Sequence, residues 1–389
     1  MKSMIKQFLQ HLYFNLVTSM KKLLPLIVYL VWNLVLTAQT VQPIAKGLKY
    51  RSPIPFAPKT YVCQQPIDSM TIDGLDNERS WQNLEWSSDF VDIEGQLKPL
   101  PSLRTNLKML WDDKYFYFFA KMEEPHIWAK LTERDAVIYQ DDDFEIFIDP
   151  DGDAHNYYEF EINALNTIWD LFMMWPYRQQ RAPNYLFNWN VEEVKHAVHI
   201  EGSINDPADT DEYWTVEMAI PWSALKEMAP HANPPKANDQ WRINFSRVDW
   251  AMEHTTGTYE KVKDEKGNNI PENNWVWSPQ GAIAMHMPEM WGYVQFSNSP
   301  VSEEAPTFNH KQDEKIKWAL WQLYYQQTEY HQSNGKYLDD ISRFNIPKVE
   351  GCRWGPELYA GKYGFQFSNP SCNRNRVWVI NEMGKIYTR

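Results

Sequence analysis

The sequence predicts an all-β protein: an antiparallel β-sandwich of jelly-roll-like kind with a small C-terminal α+β appendage. Three observations lead there. Short apolar runs alternating with period two, such as Phe144-Glu145-Ile146-Phe147-Ile148 and Trp214-Thr215-Val216-Glu217-Met218, recur from Tyr61 to Ser297, which is the pattern of half-buried strands. Asp, Asn, Gly and Pro separate the runs at the spacing of antiparallel strands in packed sheets. Beyond Pro300 the pattern changes to helical spacing and then to two further apolar runs.

Composition sets the outer bounds. The 389 residues carry 38 Lys+Arg against 51 Asp+Glu, a net charge of -13, and 43% of them are hydrophobic. A wholly disordered chain and a polytopic membrane protein are excluded. The acidic balance lacks the basic footprint that neutralises phosphates, so nucleic acid is not an expected partner. Aromatic residues reach 15%, more than a core of this size needs, and some are expected to face a ligand.

Residues 1–38 contain Lys2, Lys6, Lys21 and Lys22, no acid, an apolar stretch from Leu23 to Leu36 and the small pair Thr37-Ala38. They read as a secretory signal cut near Ala38-Gln39, with Met20 an alternative start. The stretch, interrupted by Pro25 and Asn33, is short of the ~20 residues of a spanning helix. The expectation is a secreted, periplasmic or cell-surface protein without a membrane span after cleavage. Residues 39–60, punctuated by Pro43, Pro53, Pro55 and Pro58, read as an extended lead-in.

Residues 61–299 form the expected sandwich. Its runs are Leu103 to Trp111, Tyr115 to Met122, Phe144 to Ile148, Tyr157 to Ile162, Val194 to Ile200, Trp214 to Ile220, Trp241 to Val248 and Trp291 to Phe296. One short helix is expected from Trp222 to Met228, entered through Pro221. Residues 300–312, with Pro300, Pro306 and Glu303-Glu304, read as a linker. In the appendage, 313–389, Ile316, Leu320, Leu323, Tyr324 and Gln327 predict a helix from about Asp313 to Gln332, with Gly335 placed to end it. Trp318, Trp321 and Tyr325 are expected to pack on the neighbouring domain, the alternative being that they bind a ligand or partner. Tyr363 to Phe367 and Val377 to Ile380 predict a hairpin. Of the three cysteines, Cys352 and Cys372 are the expected disulfide pair, leaving Cys63 free.

Several motifs in order carry a family resemblance. Ile72-Asp73-Gly74 with Trp81, Leu110-Trp111-Asp112-Asp113-Lys114-Tyr115-Phe116-Tyr117, Asp142-Asp143-Phe144-Glu145-Ile146-Phe147-Ile148-Asp149, Val216-Glu217-Met218-Ala219-Ile220-Pro221-Trp222, Ile243-Asn244-Phe245 and Trp291-Gly292 together resemble the family 9 carbohydrate-binding modules. The resemblance runs from about Tyr61 to Ser297, roughly three fifths of the chain. It implies a calcium-containing β-sandwich that grips a sugar, often at a chain end. Such modules commonly accompany xylan- or cellulose-degrading enzymes, so polysaccharide catabolism and a partner glycoside hydrolase are implied.

Sugar binding needs a flat aromatic for the ring's C–H face and carboxylates or amides for its hydroxyls. Tyr139-Gln140-Asp141-Asp142-Asp143-Phe144-Glu145 supplies both at a loop-to-strand junction. Alternation sends Phe144, Ile146 and Ile148 to the core and leaves Glu145 to line a surface cleft. The resemblance implies that Tyr139 stands where the family has a stacking Trp and that Asp142 and Glu145 match neighbouring polar contacts. On the next strand, Glu161 and Asn163 match polar contacts, with Glu161 where Arg is common. A second clamp Trp is implied just before Trp291-Gly292, where the chain reads Met285-His286-Met287-Pro288. Trp175, Trp189, Trp275 and Trp277 are candidates to replace it, against the alternative that they are core or rim aromatics.

Asp149, Asp151 and Asp153 alternate around Gly152, a spacing that can wrap oxygen ligands around calcium. The twelfth position is Phe160 rather than Glu, and an Asp-Gly turn also serves without metal. Glu145 and Glu161 could in principle be the acid and base of a glycoside hydrolase, a chemistry that needs carboxyls ~5–9 Å apart. Facing acids also build sugar and calcium sites, and no catalytic residue is assigned. His196 and His199 fall on opposite faces of a strand-like run, and no Gly-x-Ser-x-Gly elbow is present. The readings carried forward are a carbohydrate-binding protein, a glycoside hydrolase, and a structural or adhesive module.

Overall fold

The computed structural model describes residues 54–179, 182–229, 233–255 and 257–389; the expected signal and most of the lead-in lie outside them. The strands in chain order are β1 (Thr60–Gln65), β2 (Val91–Asp92), β3 (Thr105–Trp111), β4 (Tyr115–Glu123), β5 (Asp143–Asp149), β6 (Tyr157–Asn163), β7 (Ile168–Met173), β8 (Tyr185–Leu186), β9 (Lys195–Glu201), β10 (Tyr213–Pro221), β11 (Gln240–Asp249), β12 (Met252–Thr255), β13 (Thr258–Lys261), β14 (Asn273–Val276) and β15 (Gly292–Pro300). One sheet runs β8-β7-β6-β5-β11-β15-β1, with β14 and then β2 added beside β11; the other runs β1-β3-β4-β10-β9. The result is the β-sandwich that the alternating runs predict.

Alternation explains the layers. Phe144, Ile146 and Ile148 of β5, Tyr158, Phe160 and Ile162 of β6, and Trp241, Ile243 and Phe245 of β11 point inward. They meet Leu107, Met109 and Trp111 of β3, Phe116, Phe118 and Met122 of β4, and Trp214, Val216 and Met218 of β10. At one end Trp111, Phe116, Trp222, Trp241 and Phe296 pack mostly edge to face, as with Trp241 and Phe296 at 5.2 Å between centroids. Edge-to-face pairs add to the area each ring buries. Many of the aromatics that seemed surplus to a core are thus core residues.

Three expectations need correction. The sandwich is not antiparallel throughout: β1 pairs in parallel with β15 over Thr60–Cys63 and, after a register shift, with β3 at Gln64↔Leu110. The shift lets one strand belong to both sheets. The helix expected at Trp222–Met228 is a single tight turn over Trp222–Leu225. Its polar side finds anchors outside a helical ladder, with Trp222 Nε1 donating to the Asp112 carbonyl at 2.7 Å. Residues 300–312 are held against the sandwich: the Gln64 amide donates to the carbonyls of Pro300 and Glu303, and the Gln240 amide donates to that of Asn309.

A short helix, α1 (Arg79–Gln82), buries Trp81 under the second sheet, where Glu217 accepts from its indole N–H and from the amides of Asp73 and Gly74. The appendage holds α2 (Asp313–Asn334), ended by Gly335 at φ 68°, and strands β16 (Glu357–Ala360), β17 (Phe365–Pro370), β18 (Val377–Asn381) and β19 (Ile386–Thr388). The expected hairpin is therefore the inner pair of a four-stranded sheet in the order β16-β17-β18-β19. The outer strands are short and partly polar, which hides their period in the sequence. A Cys352–Cys372 disulfide ties the appendage, and Cys63 is free and buried.

The aromatic side of α2 packs on the sandwich. Trp318 stacks on Phe56 at 4.2 Å, and Tyr325 donates to the buried Glu289, which also pairs with Arg178. Among the described residues, no helix is long and apolar enough to cross a membrane.

Candidate functional site

The outer face of β5 and β6 is acidic. Asp143, Glu145, Phe147 and Asp149 alternate outward on β5, opposite Asn163, Glu161 and Glu159 on β6, with register pairs Glu145↔Glu161 and Phe147↔Glu159. Strand β7 adds Trp169 opposite Glu161 and Leu171 opposite Glu159. An outward face would ordinarily be wet, but here residues from the segment before β5, from the β7–β8 connection and from the segment before β15 lie over it. Tyr139 comes from the first, Tyr177 from the second and His286 from the third, and Tyr185 of β8 packs beside them.

The contacts define a carboxylate floor with an aromatic surround. The Tyr139 amide donates to Glu161 at 2.9 Å, and the Tyr139 carbonyl accepts from the Trp250 indole at 2.9 Å. His286 shares a hydrogen bond of 2.8 Å with the Tyr157 hydroxyl, and its other ring nitrogen lies 3.8 Å from Glu159. Tyr177 meets His286 edge to face at 4.2 Å and stands 6.3 Å from Tyr185. Tyr139 and Tyr185 are half-buried, and Tyr177 is 38% exposed. Three partly exposed tyrosines thus stand beside buried acids.

Electrostatics follow from burial. Desolvation pushes Glu145 up to about 7. It holds Asp143, Glu159 and Glu161 well above the usual carboxylate range, an effect reinforced in each case by the charge of Glu145. Burial, and then the charge of Arg178, lowers His286 to about 3, so its ring is neutral. At neutral pH Glu145 is therefore protonated in part and can donate as well as accept.

The structure brings together Tyr139, Glu145 and Glu161, turns Asp142 to the other parity, and keeps Asn163 on the same face of β6 with its side chain engaged by the adjoining loop. Glu145 does not line an open cleft; it is 6% exposed because of what lies over the sheet. Asp142 has the parity of Phe144 rather than of Glu145. It accepts from the Trp250 amide at 2.8 Å and lies with Glu124 and Asp249, around Arg247. Asn163 is fully buried. Its amide donates to the Leu131 carbonyl and Asp141, and its oxygen accepts from Leu165 and Thr167, so it shapes the adjoining loop.

Asp149, Asp151 and Asp153 do bring carboxylate oxygens within 4.8 Å of one another. All three also accept from the backbone of their own loop. Asp149 accepts from the amides of Gly152 and Ala154, Asp151 from that of Asp153, and Asp153 from that of His155. Lys385 of the appendage pairs with Asp153 at 2.8 Å and supplies a cation to the loop. Of the candidate clamp tryptophans, Trp275 and Trp277 are core residues and Trp189 packs on Tyr158, Phe160 and Phe172. Trp175 is half-buried.

Sequence reasoning missed Glu159, Tyr177, Tyr185 and His286 as members of this site. Glu159 was visible in the alternation of β6, and His286 stands just before Trp291-Gly292, where a ring was expected. Tyr177 comes from an irregular connection and Tyr185 from the two-residue strand β8, neither of which leaves a periodic signal.

The sequence model described as "Carbohydrate family 9 binding domain-like" matches residues 72–298. Exoglucanase XynX of Acetivibrio thermocellus is 25% identical over 118 residues, 30% of this chain and 9% of that protein. Endo-1,4-beta-xylanase A of Thermoanaerobacterium saccharolyticum is 24% identical over 145 residues, 37% of this chain and 10% of that one. The chain therefore spans about a tenth of the length of these curated relatives. A carbohydrate-binding module of family 9 from Caldicellulosiruptor kristjanssonii, solved with cellotriose, is 15% identical with a TM-score of 0.40, covering 64% of this chain and 99% of its own.

Proposed function

The chain belongs to the carbohydrate family 9 binding domain-like family, and on that premise we propose that it is an exported protein that recognises a poly- or oligosaccharide of xylan or cellulose type in support of its breakdown. The sugar lies over the outer face of β5 and β6. Tyr139 and Tyr177 offer ring faces to its C–H surface, while Glu145, Glu159 and Glu161 hydrogen-bond its hydroxyls. Asp142 and Asn163 hold the surrounding loops. One observation carries this reading: partly exposed tyrosines stand beside a row of buried carboxyls, which is the pairing of groups that a neutral sugar needs. The xylanase and exoglucanase relatives support the polysaccharide class, and a glycoside hydrolase is the expected functional partner.

The test is calorimetric titration of the full chain with xylo- and cello-oligosaccharides. Saturable binding that is lost in Tyr139→Ala and weakened in Tyr177→Ala is the expected result. A folded protein that gives no heat with any of these sugars, or a Tyr139→Ala variant that binds like wild type, refutes the site. The opposed pair Glu145 and Glu161 motivates hydrolysis as a second reading. Release of reducing sugar by the wild type, abolished in Glu161→Gln, would favour it.

A further inference from the structure

The hairpin of β12 and β13 belongs to neither sheet of the sandwich: among the described residues its strands pair only with each other. It is nonetheless fastened at its base. Tyr259 of β13 is buried, its hydroxyl lies 3.2 Å from His126 Nδ1, and its carbonyl accepts from the Lys130 ammonium at 3.3 Å. Lys261, the last residue of β13, is half-buried. Its ammonium lies 3.1 Å from the Trp250 ring centroid and donates to the Gln140 carbonyl at 2.5 Å. An indole face attracts a cation through its quadrupole, and a charged donor makes a stronger hydrogen bond than a neutral one.

These contacts converge on the tight turn Ile138–Gln140, which carries Tyr139. Its peptide groups are met from two sides. Glu161 accepts from the Tyr139 amide. From the other side the Trp250 indole donates to the Tyr139 carbonyl at 2.9 Å, and Lys261 takes the next carbonyl, that of Gln140. The Trp250 amide donates to Asp142 at 2.8 Å, which ties the indole to the chain just beyond the turn. Inside the turn the Gln140 amide donates to the Val137 carbonyl at 3.2 Å and the Asp141 amide to that of Ile138 at 2.8 Å. So short a turn has too few bonds of its own to fix its place, and the outside donors supply the rest.

We propose that Lys261 is a positioning residue for the sugar site: with Trp250 it holds the carbonyls of Tyr139 and Gln140 and so sets where the Tyr139 ring stands. This rests on the carbohydrate reading in taking Tyr139 as the stacking ring. Lys261 acts through the backbone, and its hairpin is the support on which that ring is mounted. Burial, opposed by the charges of Asp142, Asp141 and Glu272 and aided by that of Lys130, lowers Lys261 to about 8. The ammonium is therefore full at about pH 6.5 and mostly lost by about pH 9.5, so the hold on Gln140 weakens as pH rises.

Two measurements on the full chain test this. Hydrogen exchange read by mass spectrometry needs no sugar: in Lys261→Met, peptides spanning residues 134–142 should exchange several-fold faster than in wild type, with β4 and β10 unchanged. Calorimetric titration with cellotriose and xylotriose is the second. Kd for whichever binds should rise about tenfold in Lys261→Met, and likewise in Trp250→Phe, which keeps a ring and removes the indole donor. Lys261→Arg keeps a charge and donors over the ring and should restore most of the affinity. Between about pH 6.5 and 9.5 wild type should lose affinity relative to Lys261→Arg, whose guanidinium stays charged. A lysine that served stability alone would lower the melting midpoint and move none of these readouts. Unchanged exchange over 134–142 in Lys261→Met overturns the proposal whether or not sugar binds. So does a wild-type Kd in Lys261→Met where Tyr139→Ala abolishes binding, or a wild-type pH profile parallel to that of Lys261→Arg. Faster exchange in Lys261→Met from a wild type that gives no heat with either sugar supports the support role of Lys261 and refutes the carbohydrate reading, so the two failures are told apart.

Discussion

Removing the charge of Glu289 should loosen the appendage from the sandwich. Arg178 donates to both Glu289 oxygens, at 2.7 and 2.9 Å, and the two side chains are 8% and 0% exposed. The Tyr325 hydroxyl donates to the same carboxylate at 2.6 Å, and the guanidinium lies 4.8 Å from the Trp321 ring centroid. Glu289→Gln keeps the shape and leaves the guanidinium buried without its counter-charge. Breaking a buried pair from one side costs about 3–5 kcal/mol. The amide oxygen can still accept one of the donors, so the low end, ~3 kcal/mol, applies. At ~2–4 °C per kcal/mol this lowers the melting midpoint by roughly 6–12 °C. The assay is thermal and urea unfolding followed by tryptophan fluorescence, which Trp318 and Trp321 at the junction make sensitive to undocking. Replacing both partners, Arg178→Leu with Glu289→Leu, should recover most of the loss, because the cost lies in the unpaired charge. A Glu289→Gln variant within 0.5 °C of wild type would show that water reaches the pair and would refute the argument.

Four further outcomes are expected. A Cβ on Gly292 would sit 2.1 Å from the buried Trp277 ring, so Gly292→Ala should destabilise by ~1–3 kcal/mol or more, seen as a lower melting midpoint. Burial raises Glu217 from 4.5 to about 7 against the opposing bonds from Trp81, Gly74 and Asp73. Because the folded state then holds the proton more tightly than the unfolded one, the stability from this group is greatest below pH 4.5, falls by ~3 kcal/mol as pH rises to about 7, and is flat above. Urea midpoints from pH 4.5 to 8 should slope less in Glu217→Gln, though that variant is weaker throughout because its amide faces two backbone donors; equal slopes would count against the assignment. The Cys352–Cys372 bridge closes a separation of 20 residues, so replacing both cysteines by alanine should cost ~3 kcal/mol by loop entropy. In the non-reduced protein Cys63 should react with a thiol reagent only on unfolding.

The layers of the sandwich were legible because strand periodicity and burial are the same signal: Phe144, Ile146 and Ile148 could only share a face. The parallel pairing of β1 was not, since Thr60–Gln65 carries nothing that says which strand lies beside it, and both neighbours are far along the chain. The candidate site divides in the same way. Glu145 and Glu161 were readable as neighbours on adjoining strands, and Tyr139 as a ring near them. Asp142 was placed with them by nearness in sequence, but one residue of parity turned it toward Arg247. The depth of the acids depends on the connections that carry Tyr139, Tyr177 and His286, and irregular segments write no pattern from which their path can be drawn.

Strand β1 has a mechanical consequence. It runs parallel to β15, in register from Thr60↔Tyr293 to Cys63↔Phe296, with the N-terminal segment entering at one end of the pair and the appendage leaving from β15 at the other. Tension drawn between those two segments slides the strands along each other in opposite directions. The hydrogen bonds between them are then loaded in shear and must break together, whereas an antiparallel hairpin pulled at its open end unzips one bond at a time. The strand that joins the two sheets is also where the fold resists being pulled out by its ends.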